Sequence, residues 1–361
     1  MSEARVHPLP MTLEEITPAW LTAALRTRAA GVTVRGAEIV DVNNGTCTKV
    51  RMRLDMDEAG RDAGIPELVM LKGGFETHSR NLWHILEAEV VGYRDVFPVL
   101  KLPAPACYFA DYAPDQGQGI VVMEDLVARN VTFCDARVPQ TFEQVARRLE
   151  DFARFHAQTW NTPEFKQGRW DSMRMNPATL PNYLAQYFVP SEWERFTGLP
   201  RGAAASVRFH DRDLMRAMLD KVVAYSEERP QVLIHGDAHL GNLYISADGS
   251  PGFFDSLPSR GPAMRDIAYH VCGALDTADR RRWEGALIHH YLQELKRNGV
   301  ADVPPFDDMM REYAVFLLVG YLIFLINESF YQLESINTAY VARFSAAMID
   351  HDTVGLLQAM G

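Results

Sequence analysis

The residues best suited to chemistry lie in one β-rich segment, residues 231–255. Asp237 and Asn242 are five positions apart, and Asp255 follows Asn242 by thirteen positions, at the end of a strand-like run. Phosphoryl transfer uses such a set, because one carboxylate can orient or deprotonate an attacking hydroxyl while an amide oxygen and a second carboxylate hold Mg²⁺ on the phosphates. Carboxylate and amide oxygens are hard ligands, which suit that ion.

A second chemistry is compatible with the same segment. His235, Asp237 and His239 alternate along it, and alternate residues of a strand point to one face. Imidazole and carboxylate ligands suit zinc or iron, so a metal-dependent hydrolase is an alternative. That alternative leaves the spacing of Asn242 and Asp255 unexplained, and we prefer phosphoryl transfer. We expect His235 to brace the loop and assign no role to His239.

One predicted helix carries a charge on its apolar face. Its stripe contains Glu89, and a buried carboxylate is costly unless it is paired. Lys72, at the end of the preceding strand-like run, is the nearest candidate partner. The alternative is that Glu89 lies in solvent at the edge of the stripe. The positions spaced as one helix face are Leu82, Ile85, Leu86, Glu89, Val90 and Tyr93.

The order of the predicted elements indicates an α+β protein. Alternating sequence on both sides of Asn44-Gly45 predicts a hairpin, and further strands are predicted over 68–72, 106–112 and 119–123. A helix is predicted from Thr12 to Arg26. Beyond Leu126 the patterns are mostly helical, apart from 231–255. We therefore expect a β-rich part over 1–123, a hinge over 124–128 and a mainly helical part over 129–361.

Composition excludes several classes of protein. The 361 residues are 47% hydrophobic with a formal net charge of −11, which argues against a general nucleic-acid binder. Four cysteines without a CxxC pair form neither a disulfide framework nor a thiolate zinc site, which favours a reducing cytoplasm. No apolar leader precedes the first helix. The apolar run from Tyr313 to Ile326 covers 14 residues, fewer than the ~18–20 of a membrane span, and predicts a buried core helix.

Several motifs resemble one known superfamily. HGDAHLGN, at 235–242, resembles the catalytic loop of the aminoglycoside phosphotransferase and choline kinase superfamily, whose fold is similar to that of protein kinases. The resemblance continues in the same order along the chain, and the C-terminal sequence is most similar to bacterial members near the ecdysteroid-kinase-like branch. The other matching segments are LVMLK, EAEVVGY, VVMEDL, DFARFHAQTW, GPAMRDIAYHV and NTAYVARFSAAMIDHD.

This resemblance implies a role for each candidate residue. It makes Asp237 the catalytic base and makes Asn242 and Asp255 the ligands of Mg²⁺. It makes Lys72 the residue that holds the α- and β-phosphates of ATP, with Glu89 orienting it, which favours the paired interpretation of Glu89.

The resemblance also implies where the rest of the nucleotide binds. The backbone of Glu124, Asp125 and Leu126 would contact adenine, and the loop with Asn44, Gly45 and Thr46 would cover the phosphates. Two features depart from the pattern. The phosphate loop has a single glycine, and Ser256-Leu257 follows Asp255 where many relatives have an aromatic residue. We expect Asp266 to brace the loops.

The resemblance therefore implies a protein-kinase-like, two-lobed α+β fold and an ATP- and Mg²⁺-dependent small-molecule kinase. The acceptor would be a hydroxyl group, with lipophilic or small alcohols ranked first and aminoglycosides second. Besides the hydrolase, the alternative is a catalytically silent nucleotide-binding module, which the glycine-poor loop keeps open. Neither nucleic-acid binding nor a membrane span is expected. A set of aromatic residues could line an acceptor pocket, although core packing is favoured: Tyr183, Tyr187, Phe188 and Trp193.

Overall fold

The computed structural model describes residues 8–138, 140–175 and 184–360, with Arg80 and Asn81 described by their backbone alone. The chain divides into two compact units. The first comprises Met1–Thr132 together with Phe254–Leu257, and the second comprises Phe133–Phe253 together with Pro258–Gly361. The short segment around Asp255 therefore belongs to the first unit, although the chain on both sides of it belongs to the second.

The first unit is built on an antiparallel five-stranded sheet. Its strands are β1 (Val34–Asn43), β2 (Thr48–Met56), β3 (Leu68–Gly73), β4 (Cys107–Ala113) and β5 (Gln118–Glu124), and they lie in the order β1-β2-β3-β5-β4. The predicted hairpin is confirmed, because β1 and β2 pair across the Asn44-Gly45 loop. The helices are α1 (Pro18–Arg26), α2 (Glu58–Asp62) and α3 (Trp83–Val91), which continues as a π-helical turn over Gly92–Val96.

The two faces of this sheet have different partners. One face packs against α1, through Leu21, Ala24 and Leu25. The other packs against α3, through Val90 and the adjoining π-helical turn. Because side chains alternate between faces along a strand, the core residues of β3 leave Met70 and Lys72 on the α3 side. The sheet thus places Lys72 on the same side as Glu89.

The predicted helix from Thr12 to Arg26 is interrupted. Leu13–Glu15 forms a single 3₁₀ turn, and Glu15 Oε2 accepts a hydrogen bond from the backbone N–H of Thr12 at 3.3 Å. The α-helix begins only at Pro18, after Thr17, whose backbone is extended at φ −89° and ψ 159°. A residue before proline is pushed away from helical angles, so Pro18 separates the two turns.

The second unit is mainly helical. Its first helix, α4 (Phe142–Ala157), begins with the predicted capping box, since Thr141 and Gln144 exchange side-chain-to-backbone hydrogen bonds of 3.2 and 2.9 Å. The strand β7 (Gln231–Ile234) pairs with β10 (Ser259–Pro262), and β8 (Leu243–Ile245) pairs with β9 (Pro251–Phe253); β6 (Thr132–Phe133) lies at the division between the units. The remaining helices are α5 (Pro190–Thr197), α6 (Pro200–Ala203), α7 (Arg212–Glu227), α8 (Met264–Ala274), α9 (Thr277–Arg297), α10 (Phe306–Ile326), α11 (Glu334–Asp350) and α12 (Thr353–Ala359).

The long apolar helix α10 lies in the interior of the second unit. Within the described part of the chain it is the one helix long and apolar enough to cross a membrane, yet 83% of its most apolar 18-residue window is buried by the protein itself. The prediction of a buried core helix is confirmed. Of the four aromatic residues considered for an acceptor pocket, Trp193 is buried and stacks on Phe188, and Tyr187 packs against Phe196. Tyr183 lies outside the described residues.

Helix α10 also contains a buried carboxylate, Glu312, which is 7% exposed. Burial raises the pKa of Glu312 to about 7, which nearby Asp308 reinforces and Arg229 opposes. A carboxyl group with a raised pKa in the folded state makes the protein lose stability as the pH rises from its unfolded pKa through its folded pKa. We therefore expect Glu312→Gln to be more stable than the wild type at pH 8, by about 2–3 kcal/mol, and nearly equal to it at pH 4.5.

Urea unfolding at the two pH values measures this difference. The matched control is Glu228→Gln, because Glu228 and Glu312 line one cavity and the side chain of Glu228 is 74% exposed. The control should change stability little at either pH. A Glu312→Gln variant whose stability relative to the wild type is the same at pH 4.5 and pH 8 would contradict the explanation.

Candidate active site

The first unit contains a buried cluster of opposite charges around Lys72. The Lys72 ammonium, 5% exposed, donates hydrogen bonds to Glu89 Oε1 and, at 2.7 Å, to Asp255 Oδ1. Glu89 is 3% exposed, so the paired interpretation of this residue is the one found. Burial opposes the charge on Lys72, but Asp255 and Glu89 outweigh it and raise the pKa of the lysine. Lys72 is therefore a fixed cation.

A second lysine, which the sequence analysis did not single out, holds the same carboxylate. Lys49 lies on β2 directly opposite Lys72 on β3, and its ammonium is 2.8 Å from Asp255 Oδ2. Burial raises the pKa of Asp255, but Lys49 and Lys72 together lower it well below its usual range. Asp255 has φ +51°, in the left-handed region that non-glycine residues enter at a cost. The two lysines anchor the carboxylate on this strained residue.

Two of the phosphate-loop candidates, Gly45 and Thr46, are held in place through hydrogen bonds to their backbone carbonyl groups. The Gly45 carbonyl is 2.7 Å from the His78 ring nitrogen Nε2, and the Thr46 carbonyl accepts a hydrogen bond from Ser79 Oγ at 3.0 Å. Both partners belong to the 3₁₀ segment Thr77–Leu82 that precedes α3. The loop is thus tied to the helix that carries Glu89, while the exposed Asn44 precedes these two carbonyls.

The predicted hinge residues have distinct environments. The Asp125 carboxylate pairs with Arg51 Nε at 2.5 Å and accepts hydrogen bonds from the backbone N–H groups of Val127 and Ala128. The Glu124 N–H donates to the Ala106 carbonyl at 2.8 Å. Among residues 8–138, 140–175 and 184–360, the buried Leu126 N–H has no hydrogen-bond partner. Within the same residues the Asp125 N–H has no partner either, so the backbone donors of both Asp125 and Leu126 are left for a ligand.

The second unit positions Asp237 through both of its carboxylate oxygens. Oδ1 accepts a hydrogen bond from the Tyr269 hydroxyl at 3.1 Å, and Oδ2 accepts one from Asn242 Nδ2 at 3.0 Å. Asn242 Nδ2 also donates to the Asp237 carbonyl at 2.9 Å. Because the amide nitrogen of Asn242 is used in this way, its Oδ1 oxygen is the atom left to bind a cation. Tyr269 was not found from the sequence, where it appears only as part of a buried helix.

Asp266 fixes the loop that carries Asp237 by binding the backbone of that loop. The buried Asp266 carboxylate accepts hydrogen bonds from the backbone N–H groups of His235 at 2.6 Å and Gly236 at 3.0 Å. The His235 ring is buried, and its Nδ1 accepts the N–H of Asp237 at 3.3 Å. Gly236 has φ +85°, which glycine adopts without strain. The bracing positions expected for Asp266 and His235 are thus present.

His239 lies beside Asp237, with its ring nitrogen Nε2 3.7 Å from Asp237 Oδ2. Its Nδ1 accepts the Gly241 N–H at 3.0 Å, and its ring packs edge-on against Phe324 and Tyr340. A Cβ on Gly241 would lie 2.6 Å from the His239 ring, so this close approach requires glycine. In the ranges that the structure describes, no group of three or more His, Cys, Asp or Glu side chains is arranged to hold one metal ion. The His-x-Asp-x-His interpretation has no support in this geometry.

Comparison with solved structures identifies the fold. An amicoumacin kinase, solved with AMP-PNP and Ca²⁺, has a TM-score of 0.52 at 13% identity, with 94% of each chain covered. Choline kinase from Cryptosporidium parvum Iowa II has a TM-score of 0.51 at 11% identity, with 92% of this chain and 96% of that one covered. The fold is the α+β fold of the kinase-like small-molecule phosphotransferases, which confirms the predicted fold class.

A family model identifies the family to which the chain belongs. The model of the ecdysteroid kinase-like family matches residues 84–300, which is more than half of the chain. The chain therefore belongs to the ecdysteroid kinase-like family, within the superfamily that the catalytic-loop motif predicted. No curated protein sequence matches the chain.

Proposed function

We propose that this protein transfers the γ-phosphoryl group of ATP to a hydroxyl group of a small molecule, with Mg²⁺ as the metal ion. The observation that carries the proposal is a pair of polar side-chain clusters, one in each unit. One unit holds Lys72 between Glu89 and Asp255, and the other holds Asp237 against Asn242. Phosphoryl transfer needs a cation for the phosphates, oxygen ligands for Mg²⁺ and a carboxylate for the acceptor. Membership of the kinase-like family supports the same reaction.

The residues present fit a magnesium nucleotide. Lys72 would hold the α- and β-phosphates, and the loop with Asn44, Gly45 and Thr46 would cover them. The backbone of Glu124, Asp125 and Leu126 would contact the adenine ring, with the Leu126 N–H as one donor. Asn242 Oδ1 and the Asp255 carboxylate would bind Mg²⁺, which favours such hard oxygen ligands and neutralises charge on the phosphates.

Asp237 would act on the acceptor. Its carboxylate accepts the proton of the acceptor hydroxyl as the oxygen forms a bond to the γ-phosphorus. The bond from the γ-phosphorus to the bridging oxygen breaks, and ADP leaves with that oxygen. The hydrogen bonds from Tyr269 and Asn242 fix the orientation of the carboxylate for this step.

We propose lipophilic or small alcohols as the first class of acceptor and aminoglycosides as the second. The ecdysteroid kinase-like family supports the first class. So do two exposed apolar side chains, Phe330 (67%) and Leu333 (57%), which lie on either side of Gln332 in the sequence. Between them in sequence, Gln332 lies within 3.8 Å of the position that a Cβ on Gly241 would take. An apolar acceptor would find contacts beside the loop of Asp237.

Transfer of label from γ-labelled ATP tests the proposal. The panel contains sterols, hydroxyacyl thioesters, aminoglycosides, amino alcohols and sugars, each with Mg²⁺ and each repeated with the Asp237→Asn protein as the blank. Label on one acceptor class that is absent from the blank would establish the activity and the class together. Tight ATP binding with no transfer to any acceptor would instead favour a silent nucleotide-binding module.

The metal role of Asp255 makes a separate prediction. Asp255→Ala should weaken Mg·ATP binding by about 10- to 100-fold, because a charged ligand is lost. In EDTA the variant should bind ATP at least as tightly as the wild type, since Lys49 and Lys72 lose a competing anion. Isothermal titration calorimetry measures both affinities. Asp248→Ala, which removes an exposed carboxylate between β8 and β9, is the control. Wild-type affinity for Mg·ATP in Asp255→Ala would remove the metal role.

A further inference from the structure

Lys49 is a lysine of the sheet whose ammonium group is paired with a carboxylate and whose side chain also reaches solvent. It is the second residue of β2, directly after the loop that joins β1 and β2, and it faces the same side of the sheet as Lys72. Its ammonium lies 2.8 Å from Asp255 Oδ2 and 6.0 Å from the centre of the Phe254 ring. Unlike buried Lys72, its side chain is 36% exposed. Lys49 is therefore a positioned cation that solutes can reach.

The adjoining loop is poorly equipped to bind phosphate by itself. Glycine-rich loops bind phosphate through successive backbone N–H groups, which glycine allows to approach closely. Here Gly45 is the single glycine between Asn43 and Thr48, and Cys47 and Thr48 are buried. The cysteine offers no alternative anion contact or nucleophile, because burial raises the pKa of its thiol to about 12. A phosphate beside this loop would need another donor.

We propose that Lys49 is that donor. It would be a second phosphate-binding residue, whose ammonium group makes the contacts that backbone N–H groups of a glycine-rich loop make elsewhere. The inference rests on the proposed function, because it assumes that a nucleotide binds beside Lys72. An ammonium group has three N–H donors, and Asp255 engages one. The others are free to bind phosphate oxygen atoms on the exposed side. Lys49 and Lys72 would then hold the polyphosphate from adjacent strands.

The main competing explanation is that Lys49 acts only through Asp255, by holding that strained carboxylate in place. The two explanations differ in their dependence on Mg²⁺. A residue that touches phosphate directly contributes to ATP binding with or without the metal ion. A residue that only positions a metal ligand contributes when Mg²⁺ is present. They differ also in the ligand, since adenosine has no phosphate for Lys49 to contact.

The experiment measures the affinities of Lys49→Met for ATP, ADP and adenosine, in Mg²⁺ and in EDTA, by isothermal titration calorimetry. We expect ATP affinity to fall about 10- to 100-fold in both conditions, with adenosine affinity unchanged. Lys49→Arg should retain most of the ATP affinity because it keeps the charge. The matched control is Arg53→Met, which removes a cation from the same face of the same strand, where Arg53 pairs with Glu38 and Glu67.

Each result has a definite consequence. An ATP affinity that falls in Mg²⁺ but not in EDTA would assign Lys49 to the positioning of Asp255 and overturn the inference. An equal loss in Arg53→Met would show a general charge effect and overturn it as well. A wild-type protein that binds ATP, combined with an unaffected Lys49→Met variant, would overturn this inference alone. A wild-type protein that binds no ATP would overturn the proposed function.

Discussion

An Asp237→Asn variant should lose phosphoryl transfer by about 10³-fold or more while its affinity for Mg·ATP changes by less than about threefold. Asparagine has almost the same shape as aspartate, and its Oδ1 can still accept the hydrogen bond from the Tyr269 hydroxyl. Asn242 Nδ2 loses its hydrogen bond to the former Oδ2 but keeps the one to the backbone carbonyl of residue 237. It cannot take the proton of an acceptor hydroxyl at neutral pH, so the step that Asp237 is proposed to perform is removed. Single-turnover transfer of label, with nucleotide affinity measured on the same protein, separates these effects.

The control for this experiment is the unfolding temperature of the variant, which reports whether the loop of Asp237 keeps its fold. Asp266, which holds the loop through the N–H groups of His235 and Gly236, is untouched in Asp237→Asn, so the unfolding temperature should change little. A variant that melts several degrees lower would attribute lost activity to a displaced loop, and Asp237→Glu would then serve as the comparison that keeps the carboxylate. Full turnover in a correctly folded Asp237→Asn protein would refute the assigned mechanism.

The parts of the site that could be predicted are those that depend on residues close together in the sequence. A glutamate on an apolar helical stripe is either paired with a cation or placed in solvent at the edge of the stripe, and periodicity left both open. The end of the preceding strand offered Lys72 as the partner, and the resemblance to the kinase superfamily favoured the Lys72–Glu89 contact that is found. The eight-residue motif at 235–242 places Asp237 and Asn242 on one tight loop, where five residues of separation allow their side chains to meet.

The parts that could not be predicted depend on contacts between distant elements. Lys49 alternates with Arg51 and Arg53 on β2, and only the register against β3 selects Lys49 as the neighbour of Lys72. Tyr269 lies 32 positions from Asp237 and resembles any buried aromatic residue of a helix. Sequence patterns report which face of an element is apolar, but they do not report which residue of another element that face meets.

The error in the N-terminal helix has a different cause. The spacing of apolar residues from Leu13 to Leu25 is nearly helical across Thr17-Pro18, so the periodicity alone runs through the break. The proline was visible in the sequence and fixes its own φ while restricting the residue before it. Here the local backbone constraint takes precedence over the hydrophobic pattern, and a proline at the first position begins a new helix.

The second large effect concerns the buried pair of Lys72 and Glu89. Lys72→Met should reduce phosphoryl transfer by about 10²-fold or more, because the proposed phosphate-binding cation is lost. It should also destabilise the protein by about 3 kcal/mol, since Glu89 is left buried without its partner. Burial already raises the pKa of Glu89 against the effect of Lys72, so Glu89 in the single variant should take up a proton on folding. Asp255 keeps its contact with Lys49.

The double variant Lys72→Met/Glu89→Gln separates stability from function. Replacing both charges removes the unpaired carboxylate, so most of the lost stability should return, whereas transfer should stay as low as in the single variant. Urea unfolding measures stability and label transfer measures activity, each on the wild type and on the single and double variants. Arg53→Met serves as the exposed control, for which surface pairing predicts a change below about 1 kcal/mol. Recovered transfer in the double variant would mean that Lys72 stabilises the fold and does not bind phosphate, because a phosphate-binding cation cannot be replaced by removing its partner.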